Sequence, residues 1–288
     1  MRVSVVIPTV GRESVLRAAA AALASRTVDP EVVVVVDRPA AVERVRRMLG
    51  HLDVKVVATS GTHGISAARN IGIGHAHGEW IAFCDDDDWW EPEKLEVQLA
   101  LADAFGAPAI LFSPIVFHRR DGVCEVLPHR LPSPDVRLAD YLVLRPRIKW
   151  GFGVVQTSSL LIPARLLHRT PFDETLALHE DWDLILRLTA QHSAALIGPT
   201  IPLVHVQQGS AGSLSSARNW RASLTWLARH RCELSHKAQA DFAAVQIVRP
   251  ALGARDLHGV VAGVREVMRA GPPHLGAVLA GAAGIARR

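Results

Sequence analysis

The run Val32-Val33-Val34-Val35-Val36 has no polar residue at either alternate position. A strand with one wet face alternates apolar and polar side chains. Five consecutive valines therefore specify a strand covered on both faces, as in a mostly parallel sheet between helices. Three similar runs, Val3–Ile7, Val54–Ala58 and Trp80–Cys84, alternate with helical patterns at Glu13–Ala24, Ala40–Leu49 and Ile65–Ala76. This alternation predicts an α/β fold with a doubly wound sheet flanked by helices.

Downstream, the pattern predicts a helix over Pro92–Ala104, with proline in its first turn. A strand is expected over Ala109–Phe117, with Val123–Leu127 returning across the turn Arg119-Arg120-Asp121-Gly122. The stretch from Leu127 to Pro146 reads as loop with one short helix, Ser158–Ile162 as a strand and Glu180–Ala190 as an amphipathic helix. Gln207–Ser216 is rich in Gly and Ser and reads as a mobile loop. From about Arg218 the chain becomes helical segments punctuated by Pro250, Gly253 and Pro272-Pro273. That tail carries 11 Lys/Arg against 4 Asp/Glu, a net +7 in a chain whose total is +4. Two domains are expected: 1–217, holding the chemistry, and 218–288, a basic C-terminal helical extension. The extension is either a solvated appendage or a surface for an anionic partner or membrane.

Of the 288 residues, 49% are hydrophobic and 21% charged, which excludes a mainly disordered chain. Cys84, Cys124 and Cys232 have no metal-type spacing, which argues against a disulfide framework or zinc site and fits a reducing cytosol. The opening apolar run ends at Pro8 with no cleavage site, and the apolar stretch Leu275–Ala286 is shorter than the ~20 residues of a membrane span. A cytoplasmic chain is expected, with peripheral contact at the inner face of the membrane left open. The basic tail lacks interleaved aromatic residues, so no nucleic-acid partner is expected.

The strongest chemical signal is Asp85-Asp86-Asp87-Asp88, directly after a predicted strand. Four adjacent carboxylates repel one another unless a cation neutralises them, and hard oxygen ligands select Mg²⁺ or Mn²⁺. An acidic helix N-terminus explains one such carboxylate, not four. Gly64-Ile65-Ser66-Ala67-Ala68-Arg69-Asn70 opens a helix with small residues, suited to a diphosphate or to tight helix–sheet packing. Asp37 ends the second strand, where it can bind a nucleobase or ribose or cap the helix near Pro39. Glu180 and Asp181 start a helix, where a carboxylate can act as general base or simply cap. His179 and His205 are either ligands or acceptor contacts, or structural.

As a set, these residues resemble the family-2 inverting glycosyltransferases of the GT-A fold. The resemblance runs over residues 1–215, through Val3–Thr9, Val36-Asp37, Gly64–Ile73, Gly78–Asp88 with Pro92–Glu96, and Phe172–Glu174 followed by Glu180–Leu184 and Arg187. It implies that Asp85 and Asp87 hold Mn²⁺ or Mg²⁺ and that Pro8, Thr9, Arg12, Asp37, Gly64, Arg69, Asp85 and Asp86 bind the donor nucleotide. It implies Asp181 as the general base, with Glu180, Trp182 and His205 on the acceptor side or supporting it. Where members often carry an aromatic residue and a second acidic one, this chain has Val10 and Arg38.

The resulting expectation is transfer of a sugar from a nucleoside diphosphate, uridine favoured, to an acceptor hydroxyl of a glycan, lipid-linked glycan or small molecule. A sugar nucleotidyltransferase would want a glycine-rich basic loop after the first strand, and Pro8-Thr9-Val10-Gly11-Arg12 is not one. A catalytically degenerate nucleotide-sugar-binding scaffold would not need a metal site and a base together.

Overall fold

The five valines lie in a strand buried on both faces. A computed structural model describes residues 2–25, 27–148, 151, 153–208 and 219–283. Alternation begins with β1 (Val3–Thr9), α1 (Val15–Leu23), β2 (Glu31–Val36), α2 (Val42–Leu49), β3 (Lys55–Ala58), α3 (Ile65–His75) and β4 (Trp80–Phe83). It continues through β5 (Trp89–Trp90), α4 (Lys94–Phe105), β6 (Ala109–Leu111), β7 (Ile115–His118), β8 (Cys124–Leu127) and α5 (Leu138–Val143). Then follow β9 (Leu161–Pro163), α6 (Ala164–Arg169), α7 (Glu180–His192), β10 (Ala195–Ile197) and β11 (Val204–Gln207).

The main sheet has seven strands in the order β10-β6-β9-β4-β1-β2-β3. All neighbours are parallel except at β9, which runs antiparallel to β4 and β6. This is the mostly parallel α/β architecture expected. From β1 the chain builds outward through β2 and β3, then β4 pairs on the opposite side of β1. That reversal opens a crevice beyond the carboxyl ends of β1 and β4, where open sheets of this kind take their ligands. Thr9 ends one of these strands and the aspartate run follows the other.

The predicted strand Ala109–Phe117 is in fact two strands. β6 sits in the seven-stranded sheet, and β7 belongs to a second sheet of order β5-β11-β7-β8. Between them lies Pro114, which has no N–H to give a ladder. β6 is wholly buried, whereas in β7 only Ile115 is and the residues after it are half-buried. β5, β10 and β11, of two to four residues each, were not read from sequence.

These elements, α5 excepted, make up one compact unit, Met1–Leu127 with Val155–Thr175 and Glu180–Ser210. A second comprises Pro128–Val154, Leu176–His179 and Ala211–Arg288. It holds α5 and the helices α8 (Trp220–His230), α9 (His236–Phe242), α10 (Arg249–Ala254), α11 (Leu257–Ala270) and α12 (Leu275–Ala282), with a π-helical turn at Ala243–Val248. Asp241, fully buried, ties its segments together by accepting from the backbone N–H of Arg145 at 2.8 Å and of His274 at 2.7 Å. Most of the Gly/Ser-rich stretch lies outside the described residues. No described helix is long and apolar enough to cross a membrane.

Candidate active site

The four aspartates form a tight turn, closed by Asp88 N–H donating to the Asp85 carbonyl at 3.1 Å. Their side chains alternate. Asp86 and Asp88 are buried, whereas Asp85 and Asp87 keep 33% and 19% of their side-chain surface open. Asp86 accepts from Thr9 Oγ1 at 2.5 Å and from Arg12 at 2.6 Å. Burial raises the Asp86 carboxyl, and these two donors pull it back toward ionisation. Asp88 accepts from Ser158 Oγ at 2.5 Å and from Gln207 N–H at 3.3 Å. Burial, with Asp85 beside it, pushes the Asp88 carboxyl well above the usual carboxylate range. Two carboxylates thus build the turn and two face outward.

At the end of β1, Thr9 Oγ1 also accepts from Gly11 N–H at 2.9 Å and Arg12 N–H at 3.3 Å, which curls the loop around the aspartate turn. Gly11 has φ +93°, and a Cβ there would lie 2.6 Å from that of Ala41, so the curl requires glycine. Pro8 is buried within β1, next to Thr9. Asp37 accepts from the N–H of His63 at 2.9 Å, of Gly64 at 2.8 Å and from Thr59 Oγ1 at 3.1 Å. Its carboxylate anchors the entry to α3, with Gly64 at φ +95° as the turn residue, and does not cap a helix at Pro39.

Arg69, on α3, is 2% exposed, and its guanidinium joins Asp85 Oδ1 at 2.8 Å to Glu180 Oε1 at 3.0 Å. The two carboxylates hold the charge firmly on the guanidinium despite the burial. Beside Glu180, the half-buried Asp181 accepts from Trp182 N–H at 2.8 Å. Loss of hydration, then the neighbouring Glu180 charge, push the Asp181 carboxyl up to about 7. A carboxyl with that affinity holds and releases a proton near neutrality, as a general base must. Around the aspartate turn the fold therefore brings together Thr9, Arg12, Arg69, Asp85, Asp86, Asp87, Glu180 and Asp181.

Residues 4–141 match the family model described as glycosyl transferase family 2. That segment belongs to the family. A succinoglycan biosynthesis protein, ExoO, of Rhizobium meliloti (strain 1021) is 30% identical over 207 residues, 69% of this chain and 58% of that protein. The chain spans little more than half the length of the first curated relatives it matches. Among solved structures, S. aureus TarS 1–349 in complex with UDP-GlcNAc covers 94% of this chain and 90% of its own, at TM-score 0.60 and 17% identity. The mannosyltransferase PcManGT from Pyrobaculum calidifontis, in complex with GDP-Man and Mn²⁺, covers 99% and 74%, at TM-score 0.55 and 16% identity. At such identities the likeness shows the GT-A fold.

Within this family-2 domain, several residues that sequence reasoning passed over hold the site. Ser158 Oγ accepts from Asp85 N–H at 2.9 Å while donating to Asp88, so one hydroxyl spans the aspartate turn. Its only signal was a polar pair, Ser158-Ser159, at the head of a buried strand. Asn70, already part of the Gly64–Ile73 signature, donates to the Phe172 carbonyl at 2.9 Å and accepts from Phe172 N–H at 3.0 Å, pinning the segment that leads toward the acidic helix. Arg17 lies 3.9 Å over the Trp89 ring and donates to the Asp87 carbonyl at 3.0 Å.

His205, on β11, stacks on Trp89 with ring centroids 4.9 Å apart and lies 2.8 Å from Glu91 and 2.9 Å from His118. Trp182 is half-buried at the start of α7. His179 is no ligand in this arrangement. It packs against Trp226 and Phe242, lies 2.9 Å from Ser223 Oγ, and burial pushes its pKa down to about 3, so it stays neutral.

Proposed function

We propose that the chain transfers a glycosyl group from a nucleoside-diphosphate sugar, a UDP-sugar by preference, to an acceptor hydroxyl with inversion. The observation that carries this reading is the pairing of two outward carboxylates, Asp85 and Asp87, with the proton-accepting Asp181 through the Arg69–Glu180 bridge. Nucleotide-sugar complexes of TarS and PcManGT, which share the fold, support the donor class. The relative named for succinoglycan biosynthesis supports a glycan acceptor.

The donor set of the turn suits a hard cation, because both outward groups are carboxylates. Among the described residues no group of three or more His, Cys, Asp or Glu is arranged to hold a metal by itself. Asp85 and Asp87 would therefore hold Mn²⁺ or Mg²⁺ jointly with the donor diphosphate, the usual arrangement for Mg²⁺. A cation there supplies positive charge to the departing diphosphate.

Asp181 takes the proton of the acceptor hydroxyl as its oxygen bonds to the anomeric carbon. The bond from that carbon to the diphosphate oxygen breaks, and its electron pair leaves with the nucleoside diphosphate. A single displacement of this kind inverts the centre. Thr9 and Arg12 keep the turn in register through Asp86, and Arg69 fixes the spacing of Asp85 from the acidic helix. Asp37 and Gly64 shape the nucleobase side by anchoring the loop before α3.

Calorimetric titration with UDP, GDP and dTDP, with and without Mn²⁺, on wild type and Asp87→Ala tests the reading. Cation-dependent binding of one nucleotide, lost in the variant, is the expected result. Binding of none of the three would overturn the donor site and favour the scaffold.

A further inference from the structure

In α11 and α12 the usual relation between side-chain size and burial is inverted. Along α11 the buried residues are Gly259, Gly263 and Ala270, while Leu257, Val261, Val264 and Met268 are exposed, Leu257 at 77% and Met268 at 78%. At about 100° per residue these four side chains fall within about 60° of one another on the helix. Arg265, His258 and Arg269, all exposed, occupy the sector alongside. α12 repeats the arrangement: Gly276, Ala277, Ala280 and Gly281 face inward, and Leu275 (72% exposed), Val278 and Leu279 face outward. The small residues face inward because neighbours come close. A Cβ on Gly259 would lie 2.6 Å from the Trp220 ring, and one on Gly263 2.6 Å from Val248.

We propose that the outward face of α11 lies on an anionic lipid bilayer, with its aliphatic stripe in the headgroup–acyl boundary and Arg265 and Arg269 on the headgroups. The charge is complementary: the sequence from 218 onward carries a net +7, while the remainder is negative. The residues also suit lipid. Protein interfaces concentrate binding energy in Trp, Tyr and Arg seated in pockets, whereas this stripe is wholly aliphatic apart from one Met and stands on a convex helix surface. An aliphatic face flanked by arginines is what an interfacial helix presents. The inference is independent of the glycosyl-transfer reading, because none of these residues belongs to the crevice.

The test is co-sedimentation of the full chain with vesicles of phosphatidylcholine alone or mixed with phosphatidylglycerol, at low salt and in about 0.5 M NaCl, where surface charge is screened. Two double variants accompany it, Leu257→Ser with Met268→Ser, and Arg265→Glu with Arg269→Glu. Expected is binding to the anionic vesicles that falls about tenfold or more in each variant and in high salt. Unchanged circular dichroism and nucleotide affinity would show both variants folded. Absence of binding to anionic vesicles, or equal binding by the serine variant, overturns the proposal. So does a lipid-free dimer by light scattering that the serine variant dissolves, which would give the stripe to a second copy of the chain.

Discussion

Arg69 and Asp85 lie 16 positions apart in sequence and 2.8 Å apart in the fold, and the far end of the same guanidinium reaches Glu180. One buried cation thus joins the aspartate turn to the acidic helix. Its planar fork is what permits two carboxylates at once. Arg69→Lys keeps the charge but reaches one partner at a time. The expected result is a loss of turnover of about ten- to a hundredfold, with weaker cation dependence, read from kcat and KM over a Mn²⁺ series.

Burial and the Glu180 charge push the Asp181 carboxyl up to about 7, so turnover should rise with pH through that region and level off above it. Asp181→Asn should lower kcat by about a hundredfold or more without abolishing nucleotide binding. The stability effect has the opposite sense. A carboxyl whose folded pKa lies above its unfolded value destabilises the fold as pH rises from about 4 to about 7. The Asn variant should therefore be more stable at pH 8 than wild type, by about 1–2 kcal/mol given the partial exposure of Asp181, and equal to it near pH 3. Thermal unfolding at the two pH values checks this.

The turn predicts unequal roles for adjacent identical residues. Asp87→Ala should remove cation-dependent nucleotide binding with little change in Tm. Asp86→Ala strips Thr9 and Arg12 of their shared acceptor, and should cost about 1–3 kcal/mol in urea unfolding.

Lys94 is fully buried beneath the Trp90 ring, its Nζ donating to Gln98 at 2.8 Å, and burial pushes its pKa down to about 7. Such a lysine weakens the fold as pH falls from about 10 to about 7, because only the unfolded chain binds the proton freely. Lys94→Met fills the same space without the charge. It should raise Tm at pH 7 and lose that advantage near pH 10.

Strand runs, helical periods and the Asp85–Asp88 cluster were legible because they are local. The single strand expected over Ala109–Phe117 divides at Pro114, a local break, but only the tertiary structure places the two halves in different sheets. Likewise, nothing in four identical letters says that Asp86 and Asp88 turn inward. Their partners Thr9 and Ser158 lie more than 65 residues away in sequence.

By itself the sequence determined the α/β architecture and the residues available for chemistry, since strand burial and helical period are written in side-chain alternation. Tertiary structure alone decided which aspartates face the crevice, that Arg69 is a bridge within the protein, and that α11 and α12 turn their larger apolar side chains outward. Periodicity defines a helix face but not its neighbour. Here the close approach of Trp220 and Val248 to α11, and of the Arg147 and Ala244 backbone to α12, calls for small residues on the inner faces.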